Sequence, residues 1–354
     1  MDEKKDIKIS DIARMANVSA GTVDRVLHNR GNVSQKKREQ IEKVLAEINY
    51  KPNLLARSLA SKKTYKFITL TPEYNSGEYW ENVIRGTEKA QEELNAFNIT
   101  LEHRFFNQYD KNSFSQQIEK ISTVDFDGIV IAALFENLTI EFSKMLDNRN
   151  IPYVYIDSDI KNQNNLAYYG VNSYESGKIA AIMALHGKER KNNISTILYK
   201  TKSGILSVQN TWREKGFKDV LDHEKFKGEV HPLLFDYKSP EENKKKLNEL
   251  LNKIDIDHII VFNSRIHEVV DMLPADKKNK IHCIGYDLTD KNKKCLENGD
   301  IDFLLGQRED MQGYNAIKAL GSNLIFASKV AKTNYMPIDI LIKENVGFYW
   351  NFKF

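Results

Sequence analysis

From Tyr65 onward, short β-rich runs alternate with longer amphipathic stretches, and this rhythm restricts the fold more than any other feature of the chain. The runs are Phe67–Thr71, Ile129–Leu134, Tyr153–Ile156, Thr196–Tyr199, His258–Phe262 and Ile281–Tyr286. Helical periodicity fills the intervals, in Trp80–Phe97, Ser113–Thr123, Glu136–Asn148, Tyr174–Gly187, Gln209–Asp222, Pro240–Lys253 and Asp310–Ala327. Strand, crossing helix, strand is the sequence signature of a parallel sheet with helices on both faces. About 290 residues are more than one such sheet comfortably holds, so two lobes are expected. In such folds ligands bind outside the carboxyl ends of the strands.

The first 50 residues read differently. Ile9, Ile12, Ala13 and Ala16 share one helix face. Asn17 suits a left-handed turn and Ser19 can cap a second helix, whose apolar face is Val23, Val26 and Leu27. Ser34 is a candidate cap for a third helix, with Ile41, Val44, Leu45 and Ile48 at helical spacing. Two short helices about a three-residue turn predict a helix-turn-helix, whose second helix enters the DNA major groove. Arg25 on its exposed face can donate two hydrogen bonds to guanine, while Ser19 and Thr22 can reach phosphates. Asp24 beside them is repelled by phosphate unless it pairs with Arg25 or accepts from a cytosine amino group. A three-helix unit that binds another protein is the plainer alternative.

Charge separates the two parts. The chain carries +3 overall, but residues 1–64 hold 14 Lys+Arg against 8 Asp+Glu, so the remainder is −3. A basic head on a mildly acidic body points to a polyanionic partner. The longest apolar run, Ile129–Phe135, is far below the roughly 18 residues of a membrane span. The start, Met1 to Asp6, is charged and lacks a secretory apolar stretch, so a cytoplasmic protein is expected. Cys283 and Cys295 have no metal-ligand spacing, so neither a disulfide framework nor a metal site is expected.

The body carries no nucleotide-binding glycine loop, no nucleophile elbow and no zinc-peptidase motif, so nothing argues for catalysis or a cofactor. Polar residues do stand at strand ends: Asp157, Asn263, Asp287 and Gln307. Arg213 opens a helix in Trp212-Arg213-x-x-Gly216-Phe217, and Tyr79-Trp80 supplies an aromatic wall. Carboxylates, amides and a guanidinium beside aromatic faces suit a polyhydroxyl ligand. Singly, each residue reads equally well as a loop cap or surface group. Two carboxylates in one cleft also leave a sugar-acting enzyme as an alternative.

Particular strings resemble one family. Ile9-Ser10-Asp11-Ile12-Ala13, Val18-Ser19-x-x-Thr22-Val23-x-Arg25-Val26-Leu27, Val33-Ser34, Ile48-Asn49-Tyr50-Lys51-Pro52-Asn53 and Ala56-Arg57-x-Leu59 look like the DNA-binding head and hinge of the LacI/GalR regulators. Tyr79-Trp80-x5-Gly86, Phe126-Asp127-Gly128, Ile156-Asp157, Arg213-x-x-Gly216-Phe217, Phe262-Asn263, Gly285-Tyr286-Asp287 and Gln307-x5-Gly313-Tyr314 are similar to that family's effector-binding body. They are also similar to the related periplasmic sugar-binding proteins. The resemblance implies a helix-turn-helix head at 1–50, a hinge at 51–64 and a two-lobed type I periplasmic-binding-protein-like body at 65–354. It implies a first lobe of 65–160 with about 290–328 and a second of 161–289 with 329–354. By resemblance a homodimer binds a pseudo-palindromic operator, Asn53 and Arg57 belong to the DNA-contacting hinge, and Leu59 wedges into the minor groove. Tyr79, Trp80, Asp157, Arg213, Asn263, Asp287 and Gln307 would then line an interlobe cleft for a small carbohydrate. The implied function is ligand-controlled repression of carbohydrate-utilisation genes. Its alternative, a transporter's solute-binding protein, does not account for the head.

The sequence also departs from the family pattern. Ala20 and Gly21 stand where larger base-reading side chains are usual, Asp24 replaces the usual Ser, and Ser158 replaces the Arg common in pentose-binding relatives.

Overall fold

The computed structural model describes residues 9–27, 31, 33–48, 63–186, 193–200, 207–278 and 280–351. The chain divides into two compact units, residues 1–60 and residues 61–354. The expected hinge contacts Asn53, Arg57 and Leu59 lie outside the described residues.

In the first unit, α1 (Ile9–Met15), α2 (Ala20–Leu27) and α3 (Gln35–Glu47) enclose a small core. Asn17 takes a left-handed backbone (φ 49°), so the Val18 N–H folds back onto the Ala13 carbonyl at 2.9 Å. Ser19 Oγ accepts the Thr22 N–H at 3.2 Å and so caps α2. Ile12, Val23 and Ile41, one from each helix, are fully buried. Ser34 stands at the N-cap of α3 as expected, but it caps through its carbonyl, which accepts the Arg38 N–H, and not through its hydroxyl.

The second unit holds two six-stranded sheets. The first contains β1 (Tyr65–Pro72), β2 (Ile99–Phe106), β3 (Gly128–Ala132), β4 (Tyr153–Ile156) and β5 (Ala167–Gly170). It is completed by β11 (Thr333–Tyr335), in the order β11-β5-β4-β3-β1-β2, with every pairing parallel. Helices α4 (Tyr79–Glu93), α5 (Lys111–Ser122), α6 (Glu136–Asn148) and α12 (Glu309–Leu324) connect or cover it. The second sheet contains β6 (Ile194–Lys200), β7 (Val230–Asp236), β8 (His258–Val261), β9 (His282–Tyr286), β10 (Phe303–Gly306) and β12 (Asp339–Leu341). Its order is β12-β10-β9-β8-β6-β7, and only β12 runs antiparallel. Its helices are α7 (Ser173–Leu185), α8 (Val208–His223), α9 (Pro240–Lys253), α10 (Ile266–Met272) and α11 (Asp290–Asn298). The central strands are buried on both faces, as their unbroken apolar runs require. Sequence patterning misses the edge strands β2 and β7, because Glu102, His103 and Arg104 interrupt one and Pro232 the other.

The division into lobes differs from the expected one. Strand β10 pairs with β9 and β12, so residues 290–306 stay with the second sheet and not the first. The crossing falls at Gln307–Arg308. Arg308 is left-handed there (φ 52°), and its N–H is held by the Tyr349 hydroxyl at 2.9 Å. Its guanidinium forms a two-point pair with Asp339 at 2.5 and 3.1 Å. The glycine beside this turn, Gly306, closes β10, and the left-handed position itself is filled by Arg308, so no glycine marks it in the sequence. Residues 167–170 and 333–335 belong to the first sheet, so the second lobe begins after Gly170 and resumes after Tyr335, not at 161 and 329.

Each lobe contains one crossing of helices at backbone contact. A Cβ on Gly86 of α4 would lie 1.9 Å from the Asp310 carbonyl oxygen, and one on Gly313 of α12 would lie 2.1 Å from that of Val83. In the second lobe a Cβ on Gly177 of α7 would meet the Arg213 carbonyl oxygen at 1.9 Å, and one on Gly216 of α8 that of Tyr174 at 2.0 Å. A methyl group at these points cannot be absorbed by a side-chain movement. Gly177→Ala is therefore expected to destabilise the protein by about 1–3 kcal/mol or more. Gly347→Ala, with nothing within 4 Å, is the control. Thermal unfolding of the two variants checks this, and equal midpoints would contradict the close crossing.

Candidate functional site

The cleft between the two sheets encloses a cavity of about 910 Å³ at the carboxyl ends of the strands. It is bordered by the N-terminal turns of α4, α5 and α6 from the first lobe and of α8, α10 and α11 from the second. Several of these turns are fixed by side-chain caps. Asp110 accepts from Asn112 N–H, Ser207 from Asn210 N–H and Thr289 from Asn292 N–H, at 3.0–3.2 Å.

Its inner end is ionic and almost fully buried. Asp157 follows β4, Asp287 follows β9, and both adopt left-handed backbone (φ 64° and 67°), which is uncommon for a residue with a side chain. The Asp157 N–H reaches Tyr169 O at 3.2 Å, and the Asp287 N–H reaches Leu305 O at 3.0 Å, so each sheet's own ladder holds the turn. The Asp157 carboxylate accepts from the Tyr79 hydroxyl, Gln209 Nε2 and Ser158 Oγ, each at 3.1 Å. Asp287 accepts from Gln307 Nε2 at 2.5 Å. Burial raises both acids, Asp287 to about 6, while the neighbouring Arg213 charge works against the shift.

Arg213 is 1% exposed. Its guanidinium donates through Nη1 to Phe262 O at 2.8 Å and lies 4.0 Å above the Tyr286 ring. Its Nε and Nη2 have no hydrogen-bond partner among the described residues, although it lines the cavity. A buried guanidinium with two unanswered nitrogens, which carry three N–H groups between them, is costly, and acceptors entering the cleft remove that cost.

Of the seven cleft residues expected from the sequence, Tyr79, Trp80, Asp157, Arg213, Asn263 and Asp287 line the cavity. Gln307 does not: it sits behind Asp287, accepts from Gln209 at 3.4 Å, and so positions the carboxylate. The strand-end rule locates such residues but not the side from which they act. Sequence reasoning missed Gln209, which bridges the lobes through Asp157 and lies one helical turn before Arg213 on the same face of α8. It also missed Tyr109 and Arg265. Arg265 Nε donates to the Tyr109 hydroxyl at 2.7 Å, and Tyr109 stacks on Tyr237 with centroids 3.8 Å apart. With the Asp290 N–H to Gly77 O bond at 3.0 Å, these contacts join the lobes around the rim.

On the first unit, Ser19 and Arg25 are exposed and Thr22 and Asp24 half-buried, opposite the buried Val23 and Val26. Ser19 Oγ and Thr22 Oγ1 are 2.8 Å apart. Helix α2 thus presents to solvent the side expected to meet DNA.

At the start of α12, Glu309 is fully buried. One carboxyl oxygen accepts from Asn82 at 3.0 Å, and the other has no hydrogen-bond partner among the described residues. Burial and then the Asp287 charge push this acid up to about 8, so it is neutral at pH 7. The folded state therefore holds this proton more tightly than the unfolded chain. The resulting stability is full below about pH 4.5 and is lost as pH climbs through about 8. Glu309→Gln keeps the Asn82 contact without the charge. Urea midpoints of the wild type are expected to fall more steeply with rising pH than those of the variant, and parallel profiles would contradict a neutral Glu309.

Comparison with known proteins agrees with both halves of this description. Residues 8–53 match the bacterial regulatory proteins of the lacI family, and residues 68–326 match the periplasmic binding protein domain. The chain is 24% identical over 311 residues to the HTH-type transcriptional regulator MalR of Streptococcus pneumoniae, covering 84% of this chain and 88% of that one. A crystal structure of a Bacteroides fragilis protein assigned as a LacI transcriptional regulator superposes with TM-score 0.75 at 35% identity. That match covers 81% of this chain and all of the other. The glucose-galactose binding protein GanP of Geobacillus stearothermophilus shares the fold, with TM-score 0.69 at 22% identity over 80% of this chain and 99% of its own. A helix-turn-helix head joined to a two-lobed periplasmic-binding-protein body, with these relatives, places the chain in the lacI family of bacterial transcriptional regulators.

Proposed function

We propose that this regulator is a cytoplasmic repressor that binds a pseudo-palindromic operator as a homodimer and answers to a small carbohydrate held in the interlobe cleft. One observation carries the effector half of the reading. Arg213 is buried close enough to two carboxylates to influence both, and its Nε and Nη2 are unanswered among the described residues, in a cavity large enough for a ligand. Sugar hydroxyls both donate and accept, so one ligand can satisfy Arg213, Asp157 and Asp287 together. The relatives named for sugar binding support the same chemistry. Among the described residues no helix is long and apolar enough to cross a membrane.

The DNA half rests on the exposed side of α2 and the basic head. Arg25 reads guanine, Ser19 and Thr22 hold phosphates, Asp24 accepts from a base or steadies Arg25, and the hinge with Asn53, Arg57 and Leu59 completes the contact. Both lobes contribute to the cleft, so a ligand that favours one lobe arrangement shifts the population toward it. That differential binding is what alters operator affinity. A free solute-binding protein or a sugar-acting enzyme leaves the lacI-family head unexplained.

Arg25→Ala is expected to abolish operator selectivity in footprinting while leaving the melting midpoint unchanged, and an unaltered footprint would refute the assignment. Operator affinity is expected to fall steeply with salt as phosphate contacts release counterions. Asp287→Ala is expected to abolish the thermal shift and the operator response to saccharide while sparing DNA binding. A retained response would move the pocket elsewhere.

A further inference from the structure

The cavity has two ends of different character. Arg213, Asp157 and Asp287 at the inner end are at most 5% exposed, whereas Trp212, the neighbour of Arg213 on α8, lines the same cavity at 49% exposed. Tyr174 backs Trp212 edge-on at 6.4 Å between centroids, which leaves its ring supported but largely uncovered. Leu134 and Phe135, at the first-lobe entrance beside α6, are half-buried and line the cavity too. At about 910 Å³ the space lies near the top of the roughly 300–1,000 Å³ range of small-ligand sites. One sugar ring held by the inner trio would leave the exposed Trp212 part of the cavity unfilled. An uncovered indole is the surface on which the C–H face of a second ring packs.

Charge narrows the class further. Six carboxylates and four basic side chains line the cavity. Of the basic groups, Arg265 is already bound to Glu268 and Tyr109. Helix N-termini normally attract anions, but Glu81, Glu136, Glu268 and Asp290 already place carboxylates in the first turns of α4, α6, α10 and α11. Among the described residues, a phosphate or uronate would enter a chamber with more carboxylates than basic side chains, and the basic groups, Lys111, Arg213, Arg265 and Lys291, come from four different segments of the chain.

We infer that the effector is a neutral saccharide of more than one ring, its inner ring bound by Arg213, Asp157 and Asp287 and an outer ring stacked on Trp212. This rests on the carbohydrate reading above and assigns Trp212 the selection of chain length.

Calorimetric titration of the full-length protein tests it with four sets of probes. These are glucose and galactose, their α- and β-linked di- and trisaccharides, the 6-phosphates and uronates of the same sugars, and adenosine with guanine. At least one oligosaccharide is expected to bind about tenfold or more tightly than its constituent monosaccharide, and the anionic forms more weakly than the neutral ones. Trp212→Ala is expected to bring the oligosaccharide-to-monosaccharide ratio close to unity, and Trp212→Phe to restore most of it. Trp212 is half exposed, so an unchanged melting midpoint certifies that the Ala variant is folded. A monosaccharide that binds as tightly as its oligomers, a ratio untouched by Trp212→Ala, or a preference for an anionic sugar would overturn this inference and leave the carbohydrate reading intact. Binding of adenosine or guanine with no saccharide bound would overturn both.

Discussion

Backbone-to-backbone contact between two helices in each lobe underlies the geometry of the cleft. Gly86 and Gly313 bring α4 against α12, and Gly177 and Gly216 bring α7 against α8, at distances where any side chain would strike a carbonyl oxygen. Helix α4 presents Tyr79 and Trp80 to the cavity, and α8 presents Gln209 and Arg213. The carbonyl that excludes a side chain at Gly177 belongs to Arg213 itself. Packing at the crossing and placement of the cavity-lining guanidinium are therefore one constraint. Interiors are packed densely enough that a shift there passes directly to the site.

The second constraint is electrostatic. Two carboxylates and a guanidinium are buried together, and each alone would be far costlier. The backbone accepts uncommon left-handed geometry at both Asp157 and Asp287 to aim them, held by sheet hydrogen bonds on either side. Tyr79, Gln209, Gln307 and Ser158 each donate to one of the acids, yet Arg213 keeps Nε and Nη2 open among the described residues. The protein thus satisfies its anions from within and leaves its cation for something else. That asymmetry is what the proposed effector contact rests on.

Much of this is legible in the sequence because period and composition coincide with burial. The apolar runs at Ile129 and Tyr153 become central strands, and the Val23 and Val26 face of α2 becomes core. Strand ends locate Asp157 and Asp287 because a parallel sheet exposes its ligands there. What stays hidden has a physical reason in each case. Edge strands β2 and β7 tolerate charge and proline, so they lose the apolar signal. The crossing at Arg308 depends on a left-handed non-glycine residue stabilised by Tyr349 and Asp339, both distant in the chain. Tyr109 reaches Arg265 and Tyr237 only across the cleft, and no local pattern encodes that meeting.

The crossing at Gln307–Arg308 also explains how one short segment can feel both the ligand site and the lobe arrangement. Gln307 holds Asp287, Gln312 Oε1 accepts the Asp157 N–H at 3.1 Å, and Gln312 Nε2 returns to the Gln307 carbonyl at 3.0 Å. Arg308 is tied to Asp339 and Tyr349 near the third crossing, and Glu309 to Asn82 on α4. A ligand that draws Asp157 and Asp287 toward itself pulls on Gln312 and Gln307, which are joined by a side-chain to main-chain bond at the joint between lobes. Rotation of one lobe against the other must break or remake those same bonds. The two buried cleft acids and the crossing at Gln307–Arg308 therefore share a hydrogen-bond network, the kind of physical coupling that the proposed effector needs to bias the lobe arrangement.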